Sequence, residues 1–105
     1  MTREGFHMDM YVILRRNGWR SADDLQVAGA RSAKVGDEEM SEDIRWIRSY
    51  VLDEGDGAVG TVCIYQASSP EAIREHADRA DLPADEIIPV ADTVFVRPDP
   101  QPAAT

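Results

Sequence analysis

The sequence predicts an α+β fold whose elements run strand, helix, strand, strand, helix, strand, and three observations carry that order. The segments "IRWIRSYVL" and "TVCIYQ" alternate in side-chain character with the period of two that a strand imposes, and "DEGDGAVG" between them reverses the chain through its glycines. Ser21 stands before Ala22-Asp23-Asp24, and Ser69 before Pro70-Glu71, which is the pattern of a capped helix start with acidic residues in its first turn. Near the two ends, "MYVIL" and "DTVFVRP" supply two further β-rich runs.

Met10 to Leu14 makes the first strand, followed by Arg15, Arg16 and the turn dipeptide Asn17-Gly18. In the first helix, Leu25, Ala28, Gly29 and Ser32 fall at helical spacing and give a narrow face of mostly small residues that ends at Gly36. The acidic segment "DEEMSED" leads to the second strand, Ile44 to Leu52, and Thr61 to Gln66 forms the third as its hairpin partner. Either Ser68 or Ser69 caps the second helix, Ile73, Ala77 and Ala80 line its buried stripe, and "DLPADEI" stops it. The last strand is placed at 92–98. Two right-handed strand-helix-strand units joined by a hairpin give the ferredoxin-like βαββαβ arrangement, a four-stranded antiparallel sheet with both helices on one face. The domain spans 10–98, with 1–9 and 99–105 as flexible tails and His7 in the first of them.

Parity along the strands separates two side-chain sets. Val12, Leu14, Ile47, Val51, Val62, Ile64, Val94 and Val96 are aliphatic and are assigned to the helix side. Tyr11, Ile13, Arg15, Trp46, Arg48, Tyr50, Cys63, Tyr65, Phe95 and Arg97 are assigned to the open side. Leaving the five aromatics of that set in water would forgo about 1.5–3 kcal/mol each, or roughly 7–15 kcal/mol as an upper bound. That rivals a whole domain's stability of about 5–15 kcal/mol. A second copy is the expected cover, the two sheets closing into a dimeric α+β barrel. Between the sheets, Arg15, Trp46, Arg48, Tyr50, Cys63 and Tyr65 are the candidate ligand-binding residues, for a small anionic or carbonyl-bearing molecule. The alternative is that the arginines pair with carboxylates across the dimer.

Composition restricts the partners. The 105 residues suffice for one domain that buries roughly two-thirds of its unfolded surface. A net charge of −9 repels a phosphate backbone and an anionic membrane alike, which excludes nucleic acid and membrane as expected partners. The single cysteine forms no internal disulfide, no secretion pattern opens the chain, and no apolar run approaches a membrane span, so the expected location is the cytoplasm.

Among chemistry-bearing residues, His76 lies at the edge of the second helix's buried stripe. It is read either as a hydrogen-bonded structural residue or as a general base or metal ligand, with Glu71 and Glu75 nearby. Cys63 is a small buried hydrophobe or a nucleophile activated by Arg48, and by parity it points away from His76. The acidic run Asp37, Glu38, Glu39, Glu42, Asp43 is a solvated loop or a loose cation attractor. No zinc spacing, phosphate loop, metalloprotease helix or nucleophile elbow occurs.

The stretches "WIRSYVLDEG", "CIYQASSPEAIREHADRADLPADEI" and "DTVFVRP", with "YVILRR" as first strand, resemble a bacterial domain-of-unknown-function family from Tyr11 to Pro98. Some of its members are described as nickel-binding or nickel-responsive proteins. The resemblance implies a ferredoxin-like fold, a homodimer, and Ni2+ as the metal, with Cys63, Tyr65 and His76 at positions that members often keep. Leu14, Arg15 and Arg16 stand where many members carry acidic residues, which removes oxygen ligands and adds positive charge. Three readings of function follow: a cytoplasmic homodimer that binds a small molecule or metal without turnover, an isomerase or monooxygenase-like enzyme of the dimeric barrel type, and a structural interaction module.

Overall fold

The computed structural model describes residues 8–101. The order is β1 (Asp9–Trp19), α1 (Ala22–Lys34), a π-helical turn (Val35–Glu39), β2 (Ile44–Gly55), β3 (Ala58–Ala67), α2 (Pro70–Ala80) and β4 (Glu86–Pro89). The four strands pair antiparallel in the order β2-β3-β1-β4, the ferredoxin-like βαββαβ arrangement expected from the sequence. His7 lies outside the described residues, as do the ends 1–7 and 102–105 of the two expected tails.

Both helix starts are capped as expected. The backbone N–H of Asp24 donates to Ser21 Oγ at 3.2 Å and that of Ala72 to Ser69 Oγ at 3.1 Å, satisfying N–H groups that the first turn leaves without partners. Asp56 and Gly57, both at positive φ, make the hairpin turn between β2 and β3 in the hand that matches strand twist. Gly36 does not end the first helix, because the chain widens into the π turn and buries Val35 and Gly36. At the far end, Arg31 of α1 reaches the last carbonyls of α2, with Nε on Ala80 O and Nη2 on Asp81 O at 3.1 Å, placing a cation where the helix dipole favours one.

Two elements differ from expectation. β1 continues through Arg15 and Arg16 to Trp19, with an irregularity between Arg15 and Trp19 that absorbs the turn signal Asn17-Gly18. The fourth strand is Glu86–Pro89, whereas 92–98 is not a strand. Leaving α2, the chain reaches the free edge of β1 within a few residues, and Tyr11 to Leu14 are then fully paired with Pro89 to Glu86. No edge of β1 remains for the later run.

The face assignment is largely inverted. Tyr11, Ile13, Arg15, Cys63 and Tyr65 lie buried on the helix side, together with Thr61 and Ala67. The reason lies in the helices: α1 turns inward only Ala28 and Ser32, and α2 sets three alanines, Ala72, Ala77 and Ala80, beside Ile73 and His76. Small helix residues leave volume that only large sheet side chains can fill to interior density. On β2 the parity changes within the strand: Trp46 pairs with Tyr65 but Arg48 pairs with Ile64, so Ile47 is a bulge residue. Trp46, Ser49 and Val51 therefore share the face of Tyr65, Cys63 and Thr61, while Arg48 and Tyr50 share the open face with Ile64 and Val62.

That open face has a partial cover from its own chain. Residues 90–99 run across it, Asp99 accepting a hydrogen bond from Tyr50 Oη at 2.8 Å and pairing with Arg48 at 2.9 Å. Phe95 remains 74% exposed and Val94 and Val96 are exposed beside it, so the segment screens the sheet without burying its own apolar side chains.

Candidate functional site

A cavity of about 500 Å3 lies between α1 and the sheet. It follows from the same small helix face, since Ala28, Gly29 and Ser32 border it and cannot fill the distance that bulkier neighbours impose between helix and sheet. A Cβ built on Gly29 meets no atom within 4 Å. Trp19, Leu25, Val51 and Leu82 give apolar walls, and Trp46, 40% exposed, stands with Ile47 at the β2 side.

Its floor is polar. Arg15, 1% exposed, comes from β1, and Thr61, Cys63 and Tyr65 come from β3. The guanidinium carbon of Arg15 sits 5.9 Å from the centre of the Tyr65 ring, a cation-π contact, yet neither Nη1 nor Nη2 has a hydrogen-bond partner. Guanidinium stays charged in proteins, so burial cannot be relieved by losing a proton. Burial pushes the Tyr65 phenol up, opposed by the hydrogen bond with Ser32 and by the positive charge of Arg15. Tyr65 Oη and Ser32 Oγ are 3.2 Å apart, and Cys63 Sγ donates to Thr61 Oγ1 at 3.3 Å.

Of the residues proposed from the sequence, Arg15, Trp46, Cys63 and Tyr65 border this one cavity, and Arg48, beside the bulge, touches its rim while its guanidinium pairs with Asp99 on the open face. Tyr50 does not, because the bulge at Ile47 leaves it on the other face against residues 90–99. The expected convergence of Tyr50 with Tyr65 and Cys63 is thereby corrected. Sequence reasoning missed Thr61, Ser32 and Gly29, although the small-residue face of the first helix was the signal for the last two.

Parity had placed His76 opposite Cys63, but both occupy the helix side of the sheet. His76 is 1% exposed, stacks edge-on against Tyr65 with 5.5 Å between ring centres, and has Nε2 3.1 Å from the Ser32 carbonyl oxygen. Facing a carbonyl, Nε2 carries the proton, which leaves Nδ1 as the unprotonated nitrogen, and Nδ1 has no partner. Burial holds the His76 pKa below its ordinary value, with Arg15 adding repulsion and the Ser32 bond acting against both.

This depression has a pH consequence. Below about pH 6.5 the unfolded chain takes up a proton that the folded His76 refuses, so stability falls as pH drops through that value. Arg15, Ser32 and Tyr65 face His76, and burial pushes the Tyr65 phenol further up, away from this range. Urea unfolding at pH 7 and pH 5 should show a smaller acid loss for His76→Gln than for the parent chain. Equal losses would mean that folded His76 accepts the proton freely.

Residues 11–90 match the family model described as "Nickel responsive protein SCO4226-like". The chain belongs to the SCO4226-like nickel-responsive family. SCO4226 from Streptomyces coelicolor A3(2), known from a crystal structure, superposes with a TM-score of 0.65 at 22% identity, over 81% of this chain and 99% of its own. That likeness establishes a shared fold. No curated protein matches the chain.

The family's description raises nickel, and the surroundings of His76 do not fit it. Among the described residues no group of three or more His, Cys, Asp or Glu side chains is placed to hold a metal ion. His76 presents a single free nitrogen, next to the fixed positive charge of Arg15, which repels a divalent cation. Among the described residues, no helix of this family member is long and apolar enough to cross a membrane.

Proposed function

We propose that this protein is a homodimeric binding protein without turnover, which holds a small organic ligand in the cavity between α1 and the sheet. The observation that carries the reading is the cavity itself, about 500 Å3 with apolar walls and a floor of buried polar groups from β1 and β3. Sites for small molecules have that volume and that division between apolar lining and a few fixed polar atoms. A second copy is supported by the apolar side chains left exposed around the open face: Tyr50, Ile88, Val94, Phe95 and Val96. Nickel would need ligands supplied across such a dimer, because His76 offers one nitrogen alone.

The reading is tested by blocking the cavity without touching its floor. Gly29→Leu places a side chain into open space and replaces a helix glycine, which gains roughly 0.5–1 kcal/mol of helix propensity. Benzyl alcohol at millimolar concentration is expected to shift the amide resonances of Ala28, Val51 and Cys63 in the parent chain and to leave those of Gly29→Leu unmoved. Unchanged spectra in both would remove the cavity as a binding site, and sedimentation showing a monomer at tens of micromolar would remove the dimer.

A further inference from the structure

We propose that the ligand of this cavity is a small organic carboxylate, whose anionic group supplies the counter-charge that Arg15 lacks. The inference rests on the cavity being a binding site and names the chemical class it takes.

Arg15 borders the cavity, is 1% exposed, and has both terminal nitrogens without a hydrogen-bond partner. Two other arginines of the sheet have carboxylate partners. Arg16 is held by Glu54 at 2.8 Å and Arg48 by Asp99 at 2.9 Å, while Arg15 is met by Tyr65, through its ring face and its phenol, and among the described residues by no carboxylate. A buried cation without an anion is among the costliest features a fold can retain. In this chain it stands at the floor of a cavity rather than in packed core, where a guest can reach it.

The details narrow the guest. Two free terminal nitrogens on a planar guanidinium match the two oxygens of a carboxylate, each donating one charge-assisted hydrogen bond. One negative charge neutralises the site, whereas a phosphate dianion would leave a buried excess charge that the neutral Thr61 and Cys63 carry no positive charge to offset. The walls of Trp19, Leu25, Val51 and Leu82 ask for an apolar body behind the carboxylate. A chain of net charge −9 also repels multiply charged anions more strongly than single ones as they approach.

The test compares benzoate with its neutral relative benzyl alcohol by calorimetry, in phosphate-free buffer at fixed ionic strength, on the parent chain, Arg15→Met, Arg15→Gln and Gly29→Leu. Benzoate is expected to bind the parent at least tenfold more tightly than benzyl alcohol, with the preference gone or reversed in both Arg15 variants and neither compound binding Gly29→Leu. Equal affinities in the parent, or a benzoate preference that survives in Arg15→Met and Arg15→Gln, would overturn the carboxylate assignment while leaving a ligand cavity in place. Loss of both compounds from the parent would overturn the cavity reading and the assignment together.

Discussion

Arg15→Met is expected to make the ligand-free protein more stable. The guanidinium is buried with two nitrogens unpaired, and its compensation comes from a neutral neighbour, Tyr65, through the ring at 5.9 Å and the phenol. A cation-π contact contributes roughly 0.5–2 kcal/mol, whereas the penalty for a desolvated ion is several kcal/mol. Met has a comparable length, fills irregular space, and carries no charge to desolvate. The expected gain is at least about 1 kcal/mol, a rise in Tm of roughly 4–8 °C for a domain near this size. It should appear in urea unfolding and in thermal scans alike. A loss of stability on the same substitution would show that Arg15 has a counter-ion in the native protein, and the argument for an anionic guest would lose its basis. A gain, by contrast, marks a residue whose presence costs stability and therefore needs a functional reason.

Gly60→Ala is expected to destabilise strongly. A Cβ at this position would stand 2.5 Å from the Arg15 carbonyl oxygen and 3.0 Å from the Asn17 nitrogen, and would collide with Glu54 Oε2. None of these atoms is free to retreat. Two are backbone of the irregular stretch of β1, and the Glu54 carboxylate is fixed by Arg16 Nε and Nη2 and by the Asn17 N–H, each at 2.8 Å. Those same bonds, the Arg16 side chain first, hold the Glu54 carboxyl down at about 2. Overpacking of this kind costs about 1–3 kcal/mol, and here the upper end is expected because relief means breaking the network or moving the strand that carries Arg15. Repeating the substitution in a Glu54→Ala background should recover part of the loss. Identical losses in both backgrounds would assign the whole cost to the backbone contacts.

The two predictions meet on β1, the strand whose sequence was hardest to interpret. "MYVIL" announced a strand, but Asn17-Gly18 signalled a turn that the folded chain uses as an irregularity within β1. A local dipeptide preference cannot reveal that β3 continues alongside and keeps the strand paired as far as Trp19. The caps at Ser21 and Ser69, the hairpin turn and the two helices were legible because each depends on residues within a few positions of one another. The fourth strand was misplaced because "DTVFVRP" has the stronger β composition, while "EIIP" has the first access to the edge of β1. Pairing there is set by chain length from α2, not by propensity.

The sequence grouped most of the side chains that line the cavity but not their position. Arg15, Trp46, Cys63 and Tyr65, singled out together with Arg48 and Tyr50, line one cavity, and that they bind a ligand there is the proposal made above. The mixture of aromatic and charged residues was the signal, since a strand face of that kind is neither ordinary core nor ordinary surface. The side on which they sit was inverted, and Tyr50 was separated from them, because a bulge of one residue at Ile47 shifts parity for everything beyond it on β2. No feature of "WIRSY" declares that bulge in advance.

By itself, then, the sequence determined the order of elements, the capped helix starts, the antiparallel hairpin and the set of unusual side chains, because each is fixed by local chemistry and spacing. Which face of the sheet those side chains occupy, which segment completes the sheet, and whether an arginine meets a carboxylate or a cavity were decided only in the tertiary structure. The physical reason is volume: a first helix whose inward face is alanine, glycine and serine must be packed against large sheet residues, and the residues available to fill that space are brought together from β1, β2 and β3 only when the chain has folded.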